Sequence, residues 1–142
     1  MRYYLDTNIL AYLIEDRKED IASDTKVIFE DYANTIMTST VCVKELMHLF
    51  QIGKLGNSKK GKLKINASSV LPLMKEMGIQ IIPVTVNHLK AFASLPTMAG
   101  HSDPDDRLII SQAISDHIPL ISSDRKFALY RKEGLDFRFN ER

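Results

Sequence analysis

Four acidic residues, Asp6, Glu45, Asp106 and Asp124, are scattered along the chain, yet each falls beside the junction of an apolar run and a helical pattern. Carboxylate oxygens are hard ligands, and a set of them without cysteine suits Mg²⁺ or Mn²⁺. Two carboxylates ~4 Å apart repel by roughly 4 kcal/mol at an effective dielectric of 20, so three or four held together require a cation. A hard divalent ion on a carboxylate rim is equipment for phosphoryl-ester chemistry. Cys42 is the single cysteine, which excludes an internal disulfide and a cysteine-rich zinc site, and it reads as core.

These acids can act together only if the fold brings their junctions to one edge. Residues 3–5 read as a short buried strand that ends on Asp6, and Thr7 to about Ile14 carries helix-spaced apolar residues. Ile21 to Ala33 reads as a second amphipathic helix, and residues 35–38 as a second strand. Ser39-Thr40 then caps a helix to about Ile52, with Val43, Leu46, Met47 and Phe50 on one face. A helix over Ala67–Met77, a strand over Ile79–Val84 and a helix from Val86 to about Leu95 follow. The spacing predicts a helix over Pro104–Asp116, a strand over Ile118–Ser122, a helix over Asp124–Lys132 and an edge strand over Phe137–Phe139. Strands alternating with helices specify an α/β fold, here one three-layer α/β/α domain over residues 1–142 with a mainly parallel central sheet. In such a sheet the strand-to-helix junctions share the carboxyl edge, where ligands bind.

Each acid also has an ordinary structural role open to it. Asp6-Thr7-Asn8 and Ser122-Ser123-Asp124 could cap helices, and Glu45 flanks an apolar stripe. Asp103-Pro104-Asp105-Asp106 has the form of an N-cap, a proline at N1 and acids in the first turn. Asp106 shares a face with Ile109, Ile110 and Ala113, so it is assigned to the site, Asp103 to the cap and Asp105 to solvent. A carboxylate heading a buried stripe costs several kcal/mol unless paired or coordinated.

Bulk properties narrow the function classes. With 142 residues, 44% hydrophobic and 26% charged, the composition is that of a globular protein. No apolar run approaches ~18 residues and no leader pattern opens the chain, so the expectation is a cytoplasmic protein with no membrane partner. The net charge of +1 conceals segregation: residues 15–31 hold seven acids against three bases, while residues 46–75 hold no acid and six lysines. Within that basic segment Lys54, Lys59, Lys60, Lys62 and Lys64 are candidates to attract a polyanion, or simply a soluble loop. Gly56-Asn57-Ser58-Lys59-Lys60-Gly61-Lys62 departs from a phosphate-binding P-loop at Leu63 and follows a helix, so it is rejected. The phosphatases that open on a strand and an Asp want a second Asp two residues on, where this chain has Asn8.

Taken together, Asp6-Thr7-Asn8, Glu45, the run from His101 to Arg107 and Ser122-Ser123-Asp124 resemble the PIN domain, above all the VapC-type ribonuclease toxins of toxin–antitoxin pairs. That resemblance spans essentially the whole chain. It implies a Mg²⁺- or Mn²⁺-dependent endoribonuclease that cleaves RNA by metal-activated water, forms a homodimer and is silenced by a cognate VapB-like antitoxin. It also implies an acidic, metal-binding quartet of Asp6, Glu45, Asp106 and Asp124, with Asn8, Ser122, Asp103 and Arg107 in support. The lysine segment would hold RNA phosphates. Many relatives carry an aromatic residue where this chain has Asp105, and His101 is expected to be structural. A PIN-like module that binds RNA or protein without cleaving is the alternative.

Overall fold

A computed structural model of the chain describes residues 1–56 and 65–142. Of the lysine segment, Lys59, Lys60, Lys62 and Lys64 lie outside the described residues.

Strand β1 (Arg2–Leu5) is the centre of the sheet: Tyr3, Tyr4 and Leu5 are all buried. Burial on both faces is what a central parallel strand requires. It pairs with β2 (Thr35–Ser39) on one side and β4 (Leu120–Ser122) on the other. Strand β3 (Gln80–Ile82) lies beyond β2, and β5 (Phe137–Phe139) beyond β4. Among the described residues every strand pairing is parallel, in the order β3-β2-β1-β4-β5. The chain therefore works outward from β1 on one side and then returns to the other. The strand order reverses at β1, the type of position where open α/β sheets bind ligands.

Helices α1 (Thr7–Ile14), α2 (Ser23–Glu30), α3 (Thr40–Gln51), α4 (Val70–Glu76), α5 (Val86–Ser94) and α6 (Pro104–Asp116) connect the strands in a three-layer α/β/α arrangement. Leu10 of α1, Leu46 of α3, Met74 of α4 and Ile109 and Ile110 of α6 are buried in one continuous apolar cluster with the sheet. The Ser39 hydroxyl accepts from the Val41 N–H and starts α3 directly at the end of β2. Asp103 starts α6, its Oδ1 accepting from the N–H groups of Asp105 and Asp106 at 2.9 and 3.2 Å.

Several elements are shorter than their patterns predict, for local reasons. Strand β3 stops before Pro83 and β4 starts after Pro119, since proline has no N–H for a ladder. Residues 67–69 form a 3₁₀ turn ahead of α4, and Pro72 sits in the first turn of that helix. The segment Arg125–Glu133, expected as a helix, winds as 3₁₀ and closes on Gly134, whose φ of 100° suits a residue without a Cβ.

A buried polar network ties α5 and α6 to β1. The Tyr4 hydroxyl donates to Asp116 Oδ2 at 2.6 Å, and His88 Nε2 lies 2.9 Å from Asp116 Oδ1. His88 Nδ1 accepts from the Thr85 N–H, so Nε2 carries the proton and donates to Asp116. Burial first, then the Asp116 contact, pushes the Tyr4 hydroxyl well above the usual range. Tyr4→Phe is expected to cost about 1–3 kcal/mol of unfolding free energy, because a hydrogen bond to a charged acceptor is lost. Urea denaturation measures it, and a loss below about 0.5 kcal/mol would show that the bond contributes nothing net.

Candidate active site

The parallel register builds the first half of the site. Leu5 pairs with Ile121, so the residues that leave these strands, Asp6 and Ser122, emerge side by side. Asp6 is 5% exposed and uses its two oxygens differently. Oδ1 caps α1 by accepting from the Thr7 N–H at 2.8 Å. Oδ2 accepts from the Ser122 hydroxyl at 2.7 Å and the Asn8 amide at 3.3 Å. The cap and the site are therefore the same side chain. Asn8 also donates to Ser122 Oγ and accepts from the Ser123 N–H, while Ser122 Oγ accepts from the Asp124 N–H. This mesh fixes Asp124, whose Oδ1 in turn accepts from the Lys126 N–H.

The other half comes from two helices. Glu45 lies on the half-buried flank of α3, and Asp106 in the first turn of α6 beneath the Asp103 cap. Burial pushes Asp6 up to about 6, and the charges of Asp124 and Asp103 add to it, against the pull of Ser122 and the Thr7 N–H. Glu45 rises to about 7, through burial and then the charges of Asp6, Asp103 and Asp105. Asp106 rises furthest, to about 8, through burial and then the charges of Asp6, Asp103, Glu45 and Asp124. Each member of the quartet thus either feels or supplies the field that raises its neighbours. They share one electrostatic site.

Asp103 keeps the capping place its sequence pattern predicts, and Arg107 turns from the carboxylates. Asp103 is the cap of α6 and acts on the carboxylates through its charge. The guanidinium of Arg107 points away from the carboxylates: it donates to the Leu95 carbonyl at 2.8 Å and stacks 5.0 Å over the Phe92 ring, which pins α6 to α5. Asp105 pairs with Lys44 at 2.9 Å. Lys54 is exposed in the turn after α3.

His101, expected to be structural, is drawn into the site. It is 5% exposed, with Nε2 3.3 Å from Asp106 Oδ2 and Nδ1 2.6 Å from the Tyr130 hydroxyl. Ligating atoms of His101, Asp106 and Asp124 all lie within 4.8 Å of one another. Burial lowers the His101 pKa, so the ring is neutral near pH 7. With a carboxylate at Nε2, that nitrogen holds the proton and Nδ1 accepts from Tyr130. The Tyr130 hydroxyl and the His101 ring both feel the charge of the Arg107 guanidinium. The presence of a histidine five residues before Asp106 was visible in the sequence, but spacing does not tell where a loop side chain points.

The PIN domain family model matches residues 3–133 of the chain. The chain belongs to the PIN domain family. No curated protein sequence matches it. Among solved structures, VapBC2 from Rickettsia felis, bound to a DNA fragment from its promoter, is similar at 23% identity and a TM-score of 0.73, over 99% of this chain and 100% of that one. VapBC-1 from nontypeable Haemophilus influenzae is similar at 18% identity and a TM-score of 0.68, with 98% of each chain covered. DNA-bound VapBC from Salmonella typhimurium gives 14% identity and 0.66, again over 98% of each. At these identities the likeness is one of fold.

The donor set of this PIN domain fits a hard divalent ion. Asp106 and Asp124 converge within ligating range with His101 orienting Asp106 through Nε2, and the Asp6 oxygens keep spare lone pairs beyond their present bonds. Glu45 and Asp106 are raised by burial first and then by the neighbouring carboxylates, a charge that a bound cation would offset. His101→Ala is expected to weaken Mn²⁺ binding about 10–100-fold in a calorimetric titration, as when a group that orients metal ligands is lost. Tyr130→Phe should move it in the same direction by less. Unchanged affinity in His101→Ala would remove this histidine from the site.

Proposed function

We propose that the chain, as one PIN domain over residues 1–142, is a Mg²⁺- or Mn²⁺-dependent endoribonuclease and the toxin of a VapBC-type pair. The observation that carries this reading is the convergence of Asp6, Glu45, Asp106 and Asp124 from four separate elements, with three of them raised to about 6, 7 and 8 by burial and mutual charge. Asp6, Asp106, Asp124 and Glu45 would hold the ion. When bound, a divalent ion supplies charge neutralisation at a phosphodiester and makes a water more acidic. The protein supplies orientation. Ser122 and Asn8 hold Asp6 Oδ2, and Ser122 also receives the Asp124 N–H. His101, buttressed by Tyr130, holds Asp106 in the first turn of α6, whose N-terminal dipole favours the carboxylate. Lys54 and the lysines from Lys59 to Lys64 would meet the RNA backbone.

The fold shared with VapBC toxin–antitoxin structures supports a VapB-like antitoxin as partner, and a homodimer in the cytoplasm is the form we assign. Among the described residues no helix is long and apolar enough to cross a membrane. The test is cleavage of a labelled single-stranded RNA with Mg²⁺, Mn²⁺ or EDTA. Cleavage that requires the ion supports the reading. RNA binding without cleavage under any of these conditions would instead identify a binding module.

A further inference from the structure

The carboxylate rim is a poor landing place for a polyanion. Asp103 and Asp105 add two more negative charges on the first turn of α6, and both raise Glu45. Two cations near it already have partners on the protein. Arg107 is pinned to α5, and Lys126 Nζ donates to the Gly100 carbonyl at 3.1 Å. Lys44 differs. Its side chain is 63% exposed, it precedes Glu45 in sequence, and its Nζ spans from α3 to Asp105 Oδ2 on α6 at 2.9 Å.

This ion pair stands at the rim of a groove of about 780 Å³ whose floor is apolar, with Val43, Met47, Leu71 and Ile81, and whose polar edge carries Lys44, Glu45 and Asp105. Glu45 belongs to both the groove and the carboxylate site, so the groove leads from the site along α3. The pair is solvated, and such pairs are worth less than about fivefold in an equilibrium constant, so it exchanges readily. A phosphate oxygen offers Lys44 the same charge-assisted acceptor that Asp105 now provides.

We infer that Lys44 contacts a backbone phosphate of single-stranded RNA lying along α3, and that Asp105 is a built-in competitor which occupies Lys44 until RNA displaces it. This rests on the ribonuclease reading and adds a regulation of the same site. Asp105 opposes RNA twice, by engaging the lysine and by adding a like charge beside the path of the phosphate. An uncharged residue at that position would lift both.

Fluorescence anisotropy of a fluorescein-labelled 20-nucleotide single-stranded RNA, titrated with full-length protein in EDTA across 25–200 mM NaCl, tests the inference without cleavage. D105N is expected to bind about three- to fivefold tighter than wild type at the lowest salt. K44A should bind more weakly, with the slope of log affinity against log salt reduced by about 0.7, the loss of one phosphate contact on a single strand. K44R should keep the wild-type slope. In the K44A background, D105N should gain less than about twofold. A D105N affinity equal to wild type, or an unchanged slope in K44A, overturns the phosphate contact and its competitor. An equal gain from D105N in both backgrounds overturns the pairing. Absence of salt-sensitive RNA binding by wild type overturns the phosphate contact, whereas the ribonuclease reading itself falls only if cleavage is also absent with Mg²⁺ and Mn²⁺, a result distinct from either.

Discussion

Asp106→Asn is expected to lower metal-dependent RNA cleavage by about 10²–10³-fold or more while raising the melting temperature of the metal-free protein at pH 8. The two effects come from one cause. Asp106 is the carboxylate held highest, at about 8, by burial and by the charges of Asp6, Asp103, Glu45 and Asp124. Removing its charge relieves that repulsion in the folded state, but on the proposed reading it also removes a ligand of the divalent ion. The amide is nearly isosteric, so packing on α6 is kept. Asp6→Asn should match the loss of activity without the gain in stability. Its Oδ2 accepts from both the Ser122 hydroxyl and the Asn8 amide, and an amide nitrogen in that place would set donors against donors. Cleavage assays and thermal melts in EDTA read both. If Asp106→Asn cleaves like wild type, the quartet is not the catalytic centre. If it loses activity and melts lower, the loss is one of folding.

Metal-free protein should become more stable as the pH falls from about 9 to 6, contrary to the usual trend for carboxylate-rich proteins. The carboxyls of Asp6, Glu45 and Asp106 are raised to about 6, 7 and 8 in the folded chain, from ordinary values of 3.8, 4.5 and 3.8. The folded state therefore binds more protons than the unfolded state between those limits, and its stability drops as pH rises through the folded values. A divalent ion should act in the opposite sense, since it binds the deprotonated ligands. At about 100 times its Kd it adds about 2.7 kcal/mol, or about 5–10 °C in melting temperature for a chain of this size, at pH 8. That gain should shrink steadily toward pH 5. Melts at several pH values with EDTA or Mg²⁺ measure the crossing. A metal-induced shift that is independent of pH would show that the ion does not bind the raised carboxylates.

Much of the fold was written locally. Tyr3-Tyr4-Leu5, Thr35–Ser39 and Leu120–Ser122 are short apolar runs closed by capping residues, and each became a strand handing over to a helix or turn. Their alternation with helices specified a parallel sheet, because parallel strands need crossovers. Less was legible where backbone chemistry and tertiary packing compete. Gly134 and the aromatic anchors Phe127 and Tyr130 hold Arg125–Glu133 as 3₁₀ although its pattern suits an α-helix, and Pro83 and Pro119 trim the strands beside them.

By itself the sequence determined which acids stand at strand-to-helix junctions, and that Asp6-Thr7-Asn8 and Ser122-Ser123-Asp124 carry short polar side chains able to hold them. Those are facts about neighbours in the chain, and capping chemistry acts over two or three residues. The tertiary structure alone decided the rest. The pairing of Leu5 with Ile121 puts Asp6 against Ser122, 116 residues apart. The turn before α6 aims His101 at Asp106 and Tyr130, Arg107 swings to α5, and Lys44 finds Asp105 across 61 residues. Spacing fixes a side chain's face only within a regular element. Between elements, packing and the strand order chosen by the core settle which groups meet, and on this rim they settle how strongly each carboxylate holds its proton.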